Sequence, residues 1–387
     1  MAARNRLLEY VLLIVVSLAF VSATVGYPDC RNPRCLPIAV HDAPGVGFDL
    51  TAGYGVSSVN FYNGPTKDLV KVEAAQEYKD LIVRLSASPS SRPSYIDSLK
   101  RWWNKQRGRP STTDVGIISD LILQLKNATE VELGINLDKI VLSHLRFPAL
   151  RAEDIGDAVE YAGLQSWLHT SDNGEWDPNQ LSPNRAALAA HGVNLCQEYG
   201  SWQVCIEPIS ANVSDVTVYY ASLTRSALYT SLDTYLQPFE VHREREPYSF
   251  FDSKLGLDNM PQFPSEDAYW DSMRDKLVPP RNSVYGRPIT HVIVGGEAAM
   301  MPGFRNALRE ALVNASVSQS AVDAIINTDE SCPFPLHAAA RGAALLARWR
   351  QEARLHCFEM LGDCNEQRAR ERDGRSAART SRQKPDW

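Results

Sequence analysis

Between Thr290 and Leu308 the chain reads THVIVGGEAAMMPGFRNAL, the stretch that most narrows what it can fold into. Val292, Ile293 and Val294 are a β-branched run suited to a buried strand. Gly295-Gly296 follows, where a missing Cβ permits backbone angles and close approaches that other residues forbid. Pro302 and Gly303 lead into a helix whose Phe304, Leu308 and Leu312 recur on one face. A strand, a glycine turn and a helix N-terminus form one α/β unit. Such a unit serves either as an anion or ligand site or as an ordinary tight connection.

The same alternation runs through the chain. Gly45 to Tyr62 (GVGFDLTAGYGVSSVNFY) sets two short apolar stretches around a glycine-containing turn, a hairpin signal. Asp114 to Ala128 is an amphipathic helix with Asp114 as its cap, Lys139 to Leu145 a strand, and Arg151 to Leu164 a second helix. Pro183 opens a third helix in PNRAALAA. Trp202 to Ile206 and Val216 to Tyr220 read as strands around a loop. LHAAARGAALLARWRQ (Leu336 to Gln351) is a final helix whose small residues allow close packing. With 387 residues, the alternation predicts an α/β protein of two similar halves.

The ends differ in character. Arg4 and Arg6 precede LLEYVLLIVVSLAFVSA, so residues 1–23 read as a signal peptide, with an uncleaved signal anchor as the alternative. Either places the protein in the secretory pathway, luminal or secreted in the first case and membrane-anchored in the second. Residues 24–44 form a leader, and residues 356–387 a basic tail expected to be disordered. In an oxidising compartment the close pairs Cys30/Cys35 and Cys357/Cys364 suit small disulfide loops, although seven cysteines leave at least one over. Asn127, Asn212 and Asn314 head Asn-X-Ser/Thr sequons and are candidate glycosylation sites. No histidine cluster accompanies the cysteines, so no metal site is assigned. A net charge of −6 argues against nucleic acid, and the basic run around Trp102 and Trp103 reads as a packed tryptophan pair on a solvated segment.

Four motifs in order resemble one family. VIVGGEAAMMPGF, then LHAAARGAALLA, is similar to the closing segments of the nucleotide-binding domain of seventy-kilodalton heat-shock chaperones, in the actin-like ATPase superfamily. GFDLTAGYGVSSVNFY resembles its first phosphate hairpin. IVLSHLRFPALRAEDIGDAVEYAGL and SPNRAALAAHG resemble the strand and helices joining its lobes. The resemblance covers roughly residues 45–355. It implies a two-lobed, ribonuclease H-like α/β fold with an interlobe cleft. Lobe I would span residues 45–200 and lobe II residues 201–335, with residues 336–355 closing the fold.

It also implies ATP with magnesium, cradled by backbone N–H groups of two glycine-rich hairpins. Asp49 matches the acidic residue of the first hairpin, with Thr51, Ala52 and Gly53 in its loop. Gly295, Gly296 and Glu297 match the adenosine side. The second hairpin matches CIEPISAN (205–212), where Glu207 holds the acidic position. There Pro208 lacks an N–H, and Ile209, Ser210 and Ala211 replace glycines. Ser182 replaces the family's glutamate, and Ala298 to Met301 offer no arginine to stack on adenine. Asp49 and Glu207 remain the catalytic candidates. The expectation is a degenerate, pseudo-ATPase binding or regulatory protein with a protein partner, the alternative a divergent active ATPase. Contact with a membrane is expected only through the N-terminal segment.

Overall fold

The computed structural model describes residues 35, 37–62, 64–89, 94–168, 180–195, 216–235, 248–280, 288–315, 317–318, 321–322, 334–352 and 361–382. The chain divides into a large unit, Ile38–Ala353, and a small one of Met1–Pro37 with Arg354–Trp387. Among the described residues no helix is long and apolar enough to cross a membrane, and the N-terminal segment lies outside them.

The large unit begins with one helical turn, α1 (Ile38–His41), and a meander of β1 (Gly45–Leu50), β2 (Tyr54–Asn60) and β3 (Thr66–Glu73). Three helices follow: α2 (Gln76–Ala87), α3 (Tyr95–Gln106) and α4 (Thr113–Leu133). They carry the chain back so that β4 (Lys139–His144) enters parallel to β1, which a tight turn cannot do. Helix α5 (Ala152–Tyr161) leads to the short β5 (Gln165–Ser166), completing a sheet of order β3-β2-β1-β4-β5. After α6 (Pro183–Ala190) the design recurs. β6 (Val216–Leu223), β7 (Leu228–Tyr235) and β8 (Tyr248–Asp252) form a second meander. Helix α7 (Glu266–Leu277) precedes β9 (His291–Gly295), which lies parallel to β6 in the order β8-β7-β6-β9. The protein is thus mixed α/β with two mixed sheets built on one connection scheme.

Central strands β1 and β6 are buried along their whole length, as strands covered on both faces must be. Phe48, Leu50, Ile122, Leu125 and Leu142 belong to the core around the first sheet. Tyr219, Leu232, Met273, Val294 and Phe304 belong to that of the second, where α7 and α8 (Pro302–Asn314) contribute. Helix α9 (Phe334–Glu352) lies against β1 and α6, with Ala338, Ala340, Ala343, Ala344 and Ala347 fully buried. A Cβ on Gly47 would stand 2.1 Å from the Ala344 nitrogen, so glycine there sets how closely strand and helix approach. Arg341 of α9 grips the Asp68 carboxylate of β3 through Nε and Nη2 at 2.6 and 2.7 Å.

Several local expectations shift. Thr112, not Asp114, caps α4: its backbone is extended and its hydroxyl accepts from the Val115 N–H, while Asp114 sits inside the first turn. Trp102 and Trp103 are not packed away but 55% and 50% exposed. In the small unit the tail expected to be disordered contains a helix, α10 (Leu361–Arg382), with Glu366 and Arg370 paired one turn apart. Cys35 bonds Cys364 rather than a neighbour in sequence, with Cα atoms 5.1 Å apart, because proximity comes from the fold and not from spacing. Cys30 and Cys357 lie outside the described residues. Peptide mapping without reduction should recover the Cys35 and Cys364 peptides joined. Recovery of Cys35 joined to Cys30 would refute that pairing.

Candidate functional site

The hairpin turn after β1 comprises Thr51, Ala52, Gly53 and Tyr54. The Thr51 N–H and hydroxyl both donate to the Tyr54 carbonyl, at 2.9 and 2.8 Å. The same hydroxyl accepts from the N–H groups of Gly53 and Tyr54 at 3.3 and 3.1 Å. The turn after β6 is built the same way. Thr224 N–H and Oγ1 donate to the Ala227 carbonyl, both at 3.0 Å, and Oγ1 accepts from the Ala227 N–H at 3.0 Å. Asp49-Leu50-Thr51 and Ser222-Leu223-Thr224 therefore occupy matching places, and in register Asp49 faces Ser143 while Ser222 faces Gly295.

The second sheet thus has a hairpin turn of its own, apart from the CIEPISAN stretch where the resemblance sets the second phosphate loop. Glu207 and Asn212 lie outside the described residues. The described hairpin of the second sheet spans 216–235, where β-branched and aromatic residues favour strands. The residue matching Asp49 there is Ser222, and the turn Thr224-Arg225-Ser226-Ala227 has no glycine. The signal that could have located it is the Leu-Thr pair shared by both strand ends.

The two turns touch. A Cβ on Gly53 would lie 2.4 Å from the Ser226 hydroxyl oxygen. Glu297, just past the glycine pair, joins them more firmly. One of its carboxylate oxygens accepts from the Arg225 N–H at 2.9 Å, and the other takes a hydrogen bond from the Lys71 ammonium of β3. Burial disfavours that ammonium, but hydrogen bonds to Glu297 and Glu73 outweigh it and raise the Lys71 pKa. Lys71 also lies over the Tyr54 ring, 4.7 Å from its centre.

Behind this contact Asp49 is 3% exposed, and its Oδ1 has no hydrogen-bond partner. Desolvation pushes its pKa from 3.8 up to about 7, with the Ser143 hydroxyl pulling weakly the other way. Its charge acts on three buried tyrosines, Tyr54, Tyr78 and Tyr220. Burial raises each phenol's pKa and the Asp49 charge adds to the rise. The Tyr78 hydroxyl donates to the Thr51 carbonyl at 3.1 Å.

A scan with protein-family models matches none, and a search of curated proteins finds no relative.

Both glycines after β9 have a packing role. A Cβ on Gly295 would stand 2.1 Å from the Tyr220 hydroxyl oxygen. Gly296 has φ +92°, and a Cβ there would lie 2.2 Å from the Leu223 carbonyl oxygen. Of the predicted site residues, Asp49, Thr51, Ala52, Gly53, Gly295, Gly296 and Glu297 thus converge on one place. Tyr220, Lys71, Arg225 and Ser226 complete it without having been anticipated. Elsewhere, Asn127 is exposed on α4 and Asn314 is exposed at the end of α8. Among the described residues no histidine, cysteine and carboxylate group is arranged to hold a metal ion.

Proposed function

We propose that the chain is a two-lobed protein of the actin-like ATPase type, resembling the nucleotide-binding domain of seventy-kilodalton heat-shock chaperones, that works by binding a protein partner rather than by hydrolysing ATP. The repeated strand order, with a parallel fourth strand beside the first strand of each meander, supports the fold. The order along the chain, with the first hairpin in β1–β2, the glycine turn at the end of β9 and the Ala-Arg-Gly-Ala-Ala stretch inside α9, supports it too.

One observation supports the lack of hydrolysis: the N–H groups of Gly53, Tyr54, Arg225 and Ala227 in the two turns are committed to protein acceptors. Phosphate loops act by aiming free N–H groups at the anion. Here those of Gly53 and Tyr54 go to Thr51, that of Ala227 goes to Thr224, and that of Arg225 goes to Glu297. The Glu297 carboxylate takes the part of an internal anion, held by a backbone N–H and an ammonium. ATP with magnesium fits this arrangement poorly, since a magnesium ligand needs a readily ionised, water-accessible carboxylate, and Asp49 is buried with desolvation opposing its charge.

The basic residues before an apolar N-terminal run, together with exposed sequons at Asn127 and Asn314, support work in the secretory pathway, with a glycan detectable on either asparagine by mass spectrometry. The rival is a divergent ATPase in which Asp49, titrating near neutral pH, serves as general base. A ligand at 100 times its dissociation constant stabilises a fold by about 2.7 kcal/mol. Melting of the purified protein should therefore stay unshifted at millimolar MgATP. A clear upward shift, or ATP turnover abolished by Asp49→Asn, would establish the rival instead.

A further inference from the structure

Helix α3 is fastened to the protein by its charged side. Arg101, 4% exposed, donates to the carboxylates of Asp154 and Asp157 and, at 3.3 Å, to the Glu153 carbonyl. Lys105 reaches Asp157 at 2.8 Å and Glu160 at 2.7 Å. All of these acceptors lie on α5. The apolar side faces outward: Tyr95, Ile96, Leu99, Trp102 and Trp103 are 81, 63, 48, 55 and 50% exposed. At 3.6 residues per turn these five cover an arc of about 120°, and Arg101 lies roughly opposite its centre. A surface helix of a globular protein ordinarily turns its apolar stripe to the core and its charges to water. α3 does the reverse, which leaves an apolar stripe exposed.

We propose that this stripe is a membrane-docking ridge that enters the headgroup region of an anionic lipid bilayer. Exposure favours a bilayer, because five apolar side chains on one side of a single helix, each about half exposed or more, can enter a headgroup layer together. Charge selects an anionic surface. Lys100 and Arg107 lie along one edge of the stripe and Arg109 follows, all exposed. The helix's one acidic residue, Asp97, lies away from the stripe and is taken up by Ser94 in the N-terminal capping box. The Arg107 guanidinium covers the Trp103 ring at 4.5 Å, so charge and aromatic surface meet at the ridge's edge. Trp and Tyr with flanking Lys and Arg are the side chains that settle at the boundary between headgroups and acyl chains. The ridge is separate from the N-terminal apolar run and docks whether or not that run is removed.

Flotation of the full-length protein with phosphatidylserine–phosphatidylcholine vesicles, and with phosphatidylcholine alone, tests this. Binding to the anionic vesicles should be at least about tenfold tighter than to neutral ones and should weaken with salt. Trp102→Ala with Trp103→Ala should cost at least about tenfold on anionic vesicles. Lys100→Glu with Arg107→Glu should erase the preference for anionic lipid. All four side chains are exposed, so melting temperatures should hold; were the tryptophan variant to lose its fold, the charge variant alone decides. Absence of vesicle binding overturns the proposal. So does binding that neither variant changes, which would place it at the N-terminal run. A dimer that the tryptophan variant turns into monomers without lipid overturns it too, and assigns the ridge to a second copy of the chain.

Discussion

Replacing Asp49 with asparagine should make the protein more stable at pH 8, by about 2 kcal/mol or more, although Asp49 is the residue most like a catalytic carboxylate. The folded state raises its pKa from 3.8 to about 7 by desolvation. For a carboxyl, a raised folded pKa means that the native state holds a proton the unfolded chain has released. Stability therefore falls as pH rises from about 4 to about 7 and is constant above. A shift of about three units corresponds to roughly 4 kcal/mol of lost stability above pH 7. Asparagine removes the ionisation but must satisfy a buried amide beside Ser143, which returns about 1–2 kcal/mol of the gain. Denaturation midpoints of both proteins at pH 4 and pH 8 measure the effect. The variant should gain on the native protein only as pH rises. A variant less stable at pH 8 would mean that Asp49 is held ionised by a cation, contrary to the proposed function.

The same residue bears on what the site has become. A carboxylate that must meet a hydrated ion needs water on at least one oxygen, and Asp49 is instead buried, close enough to Tyr54, Tyr78 and Tyr220 for its charge to act on their phenols. Outside them, Glu297 ties Lys71 of the first sheet to the Arg225 turn of the second. Those contacts hold the two turns together without a ligand. A binding protein whose partner recognises a fixed arrangement of the two sheets gains from such a tie, whereas an ATPase, which must admit and release nucleotide, does not.

How much of this the sequence discloses depends on the range of each interaction. The β1–β2 hairpin, the strand before Gly295 and the small-residue helix α9 are written in local periodicity, and the structure has them within a few residues of their expected bounds. The turn of the β6–β7 hairpin has neither glycine nor carboxylate to mark it, only a threonine folding back on its own strand, so no local signal singles it out. The Lys71–Glu297 pair is separated by 226 residues, and no spacing rule links such positions. For Gly295 and Gly296 the sequence leaves a tight turn and a ligand loop both open, and only the Tyr220 hydroxyl and the Leu223 carbonyl show what the missing Cβ atoms make room for. For α3 the sequence shows only a basic run around two tryptophans, and which side of the helix turns inward is set by the acidic side of α5, some fifty residues on.

Gly342→Ala should destabilise the protein by about 3 kcal/mol, although the same change in an open helix would stabilise it. Gly342 lies inside α9, and helix propensity alone favours alanine there by about 1 kcal/mol. A Cβ at this position would lie 1.7 Å from the Ala186 carbonyl oxygen, 2.4 Å from its carbonyl carbon and 2.9 Å from its Cα. Every one of these is backbone of α6, so no side-chain rotation relieves the clash and the two helices must separate by about an ångström. They are bordered by Ala186, Ala189, Ala339, Ala343 and Ala347, all buried, so separation opens voids along the whole contact. Helix α9 also lies on β1, where Gly47 makes a comparable approach, and a shift there would disturb the strand that carries Asp49. Propensity and packing thus predict opposite signs, and a denaturation midpoint distinguishes them: a gain of about 1 kcal/mol would show that α9 and α6 are not in backbone contact, while a loss of about 3 kcal/mol places that contact among those that hold the two sheets in one unit.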